Sequence, residues 1–343
     1  MLDDQKYIAQ KDPQDALGVA THEPEQLLDK FEVTNKSNRP ISNIVIAGMG
    51  GSALSAEFIN TWPGVSVPYE ICRSYEIPAY TSENTLFIAS SYSGNTEETI
   101  SAFGLARKKN AQIVCVASGG KLKELADSNS FPFVKLRDGF QPRMAALASY
   151  KALVSVLAAY NLIPKESTQE LESCTDRLLE TTNSWRADVH TNKNLAKQLA
   201  EQLVGKTPVV YAGPKMFPAA YKWKISFNEN SKNIAFCNKL PEFNHNEFLG
   251  WTSHPIEKPF GVIDLFSSLE NERVKFRFDI SDRMLSGMRP KAIRVEAKGN
   301  TELEHLLWLV VLGEFVSIYL ALLNGVNPTP VDIIEKFKTK LNR

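Results

Sequence analysis

From residue 42 to 136, short apolar, β-branched runs alternate with stretches whose apolar positions recur at helical spacing. Runs at 44–47, 67–71, 86–89, 113–116 and 133–136 predict strands, and the segments near 52–60, 96–109 and 121–127 predict the helices between them. Alternation of this kind builds a parallel sheet covered by helices, so the pattern predicts an α/β, doubly wound domain.

Residues 143–162, rich in Ala and Leu, predict a long helix that bridges the halves and stops at Pro164. A helical stretch at 168–204 leads to Thr207-Pro208-Val209-Val210-Tyr211-Ala212-Gly213, a strand with a glycine turn, and then to a helix over about 215–229. Further strands are expected at 233–236, 261–265 and 292–296, which makes this half a degenerate copy of the first. A helix at 301–323, the turn Asn327-Pro328-Thr329-Pro330 and an amphipathic helix from Val331 close the chain. Two domains are expected, 1–150 and 151–343, the second ending in helices.

Two turns in the first half carry the chemical signal. Gly48-Met49-Gly50-Gly51-Ser52 and Ser91-Tyr92-Ser93-Gly94-Asn95-Thr96 each follow an apolar strand and each open a helix. Backbone N–H groups at such a helix start, together with the helix dipole, favour an anion. With Gly51, the hydroxyls of Ser52, Ser91, Ser93 and Thr96 complete a cradle of neutral donors, which points to a phosphorylated small molecule. Gly48, Gly50 and Ala53 also satisfy a dinucleotide-binding fingerprint, with Glu70 ending a second strand, but a single match is weak and does not account for the second turn. Ser and Thr also cap helices, which one such turn alone could reflect.

At 343 residues the chain is long enough for two cores, and its 39 basic and 39 acidic residues balance. With no basic run, nucleic acid is not an expected partner. The start Met1-Leu2-Asp3-Asp4-Gln5-Lys6 lacks the order of a signal peptide, and Gly313, Glu314 and Ser317 interrupt the most apolar helix, so no membrane partner and a cytoplasmic location are expected. Cys72, Cys115, Cys174 and Cys237 are widely spaced, which predicts reduced thiols and neither disulfide nor metal site.

These residues resemble those of the sugar isomerase fold and, within it, the bifunctional phosphoglucose/phosphomannose isomerases. The resemblance spans nearly the whole chain. Beyond the two turns it rests on Gln141-Pro142-Arg143, Asn228-Glu229-Asn230-Ser231-Lys232, the run Glu242-Phe243-Asn244-His245-Asn246-Glu247, and Pro328-Thr329-Pro330 with Lys336. It implies two sugar isomerase domains, no cofactor, hexose 6-phosphate substrates and a homodimer with active sites at the interface. It further implies that Ser52, Ser91, Ser93 and Thr96 hold phosphate, Glu229 moves the proton and Arg143 stabilises the enediolate. His245, from the partner subunit, and Lys336 would open the ring and position it. Thr329 would leave room for the C2 epimer, where relatives restricted to glucose 6-phosphate have a bulkier glutamine.

The chemistry suits these residue types. One carboxylate can remove and return a proton between C1 and C2, a guanidinium never loses its charge beside a developing oxyanion, and histidine titrates nearest neutrality. By residue type alone Glu229 reads first as a solvated glutamate at a helix end. Arg143, expected in the first turn of the bridging helix, opposes that helix dipole, which favours a ligand role. A lone loop histidine is usually exposed, as expected for His254 before Pro255, and Lys336 has Lys338 and Lys340 as equals. Thr329 also suits a turn. A non-catalytic sugar-phosphate sensor and an enzyme acting on amino sugar phosphates are the remaining alternatives.

Overall fold

The computed structural model describes residues 1–253 and 259–341; His254 lies outside them. The chain divides into two compact units, Glu23–Leu179, and Met1–His22 together with Glu180–Arg343.

Helices α1 (Gln5–Lys11) and α2 (Ala16–His22) open the chain and belong with its C-terminal part. Lys197, fully buried, donates through Nζ to the carbonyls of Leu2, Ala187 and Val189, and Tyr7 Oη donates to the Leu322 carbonyl at 2.7 Å. These bonds tie the first residues to the C-terminal part of the chain.

In the unit Glu23–Leu179, β1 (Asn43–Ala47), α3 (Gly50–Phe58), β2 (Tyr69–Cys72), β3 (Thr85–Ser90), α4 (Glu97–Lys108), β4 (Gln112–Ala117), α5 (Gly120–Asn129) and β5 (Phe133–Lys135) alternate as expected. All strands pair in parallel, in the order β2-β1-β3-β4-β5. Every residue of β3 and β4 is buried, as continuous apolar runs between two helical layers require. Because the chain winds outward on both sides of the β1/β3 pair, the crevice at their carboxyl ends is the place where such sheets bind ligands.

The bridging helix begins later than expected. Pro142–Ala145 form a 3-10 turn and α6 spans Ala146–Ala159, so Arg143 precedes the α-helix and does not sit in its first turn. The domain boundary also moves beyond residue 150. Gln26 donates to the Met144 carbonyl at 2.7 Å and accepts from the Ala148 nitrogen at 2.9 Å, and Ser55 Oγ donates to the Ala146 carbonyl at 3.0 Å, so α6 belongs to the first sheet. α7 (Ser167–Ser173) follows it.

The expected helical run 168–204 is broken: after α7 come α8 (Thr175–Asn183), a turn at Thr191–Lys193 and α9 (Leu195–Leu203). The second sheet uses β6 (Thr207–Ala212), β7 (Phe236–Lys239), β8 (Phe260–Phe266) and β9 (Ile293–Glu296), all parallel, in the order β7-β6-β8-β9. That order repeats β2-β1-β3-β4, which makes it the second copy. β7 lies later than the expected 233–236, because Lys232 and Asn233 are held in the turn that ends α10 (Phe217–Glu229). The short α11 (Glu247–Gly250) and α12 (Glu272–Met284) complete this half before α13 (Glu302–Leu323) and α14 (Asp332–Leu341).

α13 is apolar all round and 94% of its most apolar window is buried within the protein, which makes it a core helix although its length would span a membrane. Its polar residues are paired inside the protein. The Glu314 carboxylate accepts from Lys222 Nζ, from Ser226 Oγ at 2.9 Å and from Asn230 Nδ2 at 2.9 Å, with every partner buried. Burying charge is tolerated when geometry and hydrogen bonds compensate, and here the cluster fixes α10 against α13.

Candidate active site

Each unit carries its own group of the expected site residues. In the unit Glu23–Leu179, the two glycine turns meet at the carboxyl ends of β1 and β3. The Tyr92 nitrogen donates to Ser52 Oγ at 3.0 Å, and the hydroxyls of Ser91 and Thr96 share a bond of 2.7 Å. Ser52 and Ser91 are buried, Thr96 is half-buried and Ser93 is exposed with its Oγ accepting from the Asn95 nitrogen at 3.2 Å.

Capping does not account for these hydroxyls. Thr96 occupies the N-cap of α4 without a side-chain bond to that helix, and the N-cap of α3 is Met49, whose side chain has no acceptor oxygen. Gly94 has φ 72°, and a Cβ there would lie 1.8 Å from the Gly119 carbonyl oxygen, so only glycine lets this turn close.

Arg143 is buried, not a surface arginine. It stands beside the first turn: a Cβ on Gly51 would lie 2.6 Å from the Pro142 carbonyl oxygen and 3.2 Å from the Arg143 nitrogen. Gly51 is thus needed for close approach, and it brings the cationic residue to the α3 start. Tyr92, which the sequence left without a role, adds a second support. Its hydroxyl donates to the Arg137 carbonyl at 2.8 Å and accepts from the Phe140 nitrogen at 2.9 Å, which fixes the loop leading to Arg143.

The other unit holds the remaining candidates. Glu229 is the last residue of α10 and half-buried, where a carboxylate opposes the helix dipole and gains nothing for helix stability. Lys232 Nζ donates to the Glu229 carbonyl at 2.7 Å and to the Pro328 carbonyl at 3.0 Å. The structure therefore brings the Glu229 and Thr329 segments together. Thr329 itself closes a turn, its nitrogen donating to Asn327 Oδ1 at 3.0 Å.

His245 ends the 3-10 turn Glu242–His245 and is exposed; among the described residues it makes no hydrogen bond or ion pair. Its loop is nevertheless anchored on both sides. Phe243 is buried, Asn244 Nδ2 donates to Ser281 Oγ at 2.9 Å, and the Glu247 carboxylate accepts from Tyr211 Oη and from Asn238 Nδ2 at 2.6 Å. Burial and the Glu247 carboxylate push the Tyr211 phenol far above its usual value, so it stays protonated and donating. Lys336 lies on α14, which buries no residue, and is exposed. Among the described residues no hydrogen bond or ion pair joins His245 or Lys336 to Glu229.

The glycine turn of the second sheet differs from those of the first. Glu270, buried, reaches into it: one carboxylate oxygen accepts from the Lys215 nitrogen at 2.9 Å and the Met216 nitrogen at 3.3 Å, and a Cβ on Gly213 would collide with it at 2.3 Å. Burial raises the pKa of that carboxyl. An acidic side chain of the chain itself thus fills this copy of the cradle. Among the described residues no group of three His, Cys, Asp or Glu side chains is placed to hold a metal, and all four cysteines are free.

Comparison with known proteins bears on this geometry. Residues 192–341 match the family described as bacterial phospho-glucose isomerase C-terminal SIS domain. The bifunctional phosphoglucose/phosphomannose isomerase of Caldicellulosiruptor bescii is 35% identical over 327 residues, covering 93% of this chain and 96% of that protein. This chain belongs to the same family. The protein of that name from Aquifex aeolicus is 32% identical, with 92% and 95% of the two chains covered. Among solved structures, a glucose-6-phosphate isomerase like protein from Thermus thermophilus covers 98% of both chains with a TM-score of 0.66 at 17% identity, a likeness of fold. The two parallel sheets are therefore the two sugar isomerase domains of this family.

Proposed function

We propose that the protein interconverts glucose 6-phosphate and mannose 6-phosphate with fructose 6-phosphate, with one base, Glu229, serving both aldoses through a shared cis-enediol. Family membership makes the chain an aldose-ketose isomerase acting on sugar phosphates. The observation that carries the finer reading is the pair of joined hydroxyl turns, Ser52 with Tyr92 and Ser91 with Thr96, at the switch point of the first sheet.

In this mechanism the cradle holds the phosphate with neutral donors while Arg143, buried and permanently charged, stabilises the enediolate oxygens. Glu229 takes the C2 proton of either aldose and returns it at C1. His245 and Lys336 open the ring and position the chain, and Thr329 leaves space beside C2 for both epimers. The exposure of His245 and Lys336 fits a homodimer in which His245 serves the partner subunit's site. Leu249, Ile234, Phe236, Ile333 and Phe337, all in the same unit, are more than half exposed, a pattern that a partner subunit would cover. The reaction needs no external oxidant, because the electron pair stays within the substrate and Glu229 returns the proton it takes, and no cofactor is part of this proposal. A cytoplasmic location is part of this proposal.

A coupled assay of the purified protein with glucose, mannose and glucosamine 6-phosphates tests it. Formation of fructose 6-phosphate from the first two, with the amino sugar inert, is expected. Tight binding of fructose 6-phosphate without turnover would make the protein a sensor, and turnover of the amino sugar alone would move it to the other enzyme class.

A further inference from the structure

The third residue beyond the helix that carries Glu229 is Lys232, whose backbone adopts φ 58°. A residue with a Cβ takes this left-handed conformation only where its surroundings hold it there. The conformation carries the chain back over the end of α10, so that Lys232 Nζ reaches two carbonyl oxygens at once. One is that of Glu229 at 2.7 Å; the other is that of Pro328, 96 positions downstream, at 3.0 Å. A lysine that merely complemented the α10 dipole would need only the first.

We infer that Lys232 is a positioning residue, whose ammonium holds Glu229 and the Thr329 turn in one register and so sets how evenly the two C2 epimers are used. The inference rests on the roles proposed for Glu229 and Thr329. Neighbouring bonds fix the other faces of the same segment. Asn230 Nδ2 donates inward to Glu314 and to Ser317 Oγ, and Asn324 Nδ2 donates to the Ser231 carbonyl at 3.2 Å and to Asn233 Oδ1 at 2.7 Å. These bonds hold the end of α10 on α13. The Lys232 ammonium adds the link from that end to the Pro328 carbonyl, one residue before Thr329 and four before α14 begins. A proton transfer at C2 is sensitive to displacements of an ångström, so loosening this link should affect the two epimers unequally.

The experiment compares Lys232→Met, Lys232→Arg and Glu229→Gln in the full-length protein. Initial rates and KM are measured for glucose 6-phosphate and mannose 6-phosphate. The ratio of the two turnover rates in one sample does not depend on the fraction of protein that is folded, so a loss confined to stability leaves it unmoved. Lys232→Met is expected to change that ratio by about fivefold or more, with KM for each substrate within about twofold, and Lys232→Arg to return it toward the wild-type value. A wild-type ratio in Lys232→Met, alongside loss of both activities in Glu229→Gln, would overturn the role of Lys232 and leave the base in place. Full activity in Glu229→Gln would overturn the base and the positioning role together. Should Lys232→Met not fold, Lys232→Gln, too short to span both carbonyls, is read for the same ratio with the same two outcomes.

Discussion

The Tyr92 backbone nitrogen donates to Ser52 Oγ at 3.0 Å and thereby joins two glycine turns forty residues apart. A hydroxyl that accepts a hydrogen bond still has its own proton to give, so Ser52 stays competent to donate to a phosphate. The same holds for one member of the Ser91/Thr96 pair. Replacing Ser93 and Thr96 together with alanine is expected to raise KM for fructose 6-phosphate at least tenfold, at about 1–3 kcal/mol per lost donor to a charged group, with the thermal midpoint little changed. Steady-state kinetics on the double variant check this; an unchanged KM would remove both residues from the phosphate site.

Glu270 makes a second prediction, because its carboxylate occupies the turn that Gly213 opens in the second sheet. Glu270→Ala takes the carboxylate away from the Lys215 nitrogen, while the Met216 nitrogen keeps the Gly213 carbonyl at 3.1 Å, and should lower stability by about 1–3 kcal/mol. Inorganic phosphate at millimolar concentration should restore more of the midpoint in this variant than it adds to the wild type, since an anion can replace the missing carboxylate. Equal shifts in the two proteins would show that this turn does not accept an external anion.

The alternation of strand and helix was legible because buried parallel strands leave continuous apolar runs, and both hydroxyl turns could be found from their position after such runs. Three features were not legible for physical reasons. Arg143 lies in a 3-10 turn, and its burial depends on the close approach of Gly51 to Pro142, a tertiary contact that no local pattern encodes. The Met1–His22 segment joins the second sheet's unit through Lys197 and Tyr7, contacts made across nearly 200 and more than 300 residues. Tyr92 reads as an apolar residue between two serines, and only the folded chain shows its hydroxyl fixing the Arg137–Phe140 loop. The pattern Asn228-Glu229-Asn230 did carry a signal, since Asn230 marks the buried network beneath the helix end.

A third prediction concerns pH and stability. Asp264, buried in β8, is pushed up to about 6 by burial, opposed by Arg289 and Arg294 and reinforced by Asp282. Its folded-state pKa lies above the ordinary 3.8, so its contribution to stability is full below about pH 4 and is lost as pH rises through about 6. Asp264→Asn removes that dependence. Between pH 4 and pH 8 the unfolding free energy of wild type relative to the variant should fall by up to about 3 kcal/mol. Denaturant melts of both proteins at several pH values check it, and parallel curves would contradict it.

Thr329 offers a fourth. Its turn is held to the end of α10, the helix that carries the proposed base, through Pro328 and Lys232. Thr329→Gln narrows the space proposed beside C2 without touching the carboxylate, so mannose 6-phosphate turnover should fall several-fold more than glucose 6-phosphate turnover. Equal losses would take the specificity role from this residue.

Glu229→Gln keeps the shape of the side chain and removes its capacity to accept a proton. If one carboxylate serves both aldoses, the glucose 6-phosphate and mannose 6-phosphate isomerase activities of this variant should both fall by about 10²-fold or more and by similar factors, with inhibition by a bound hexose phosphate preserved. Survival of either activity at wild-type rate would contradict a single shared base at Glu229.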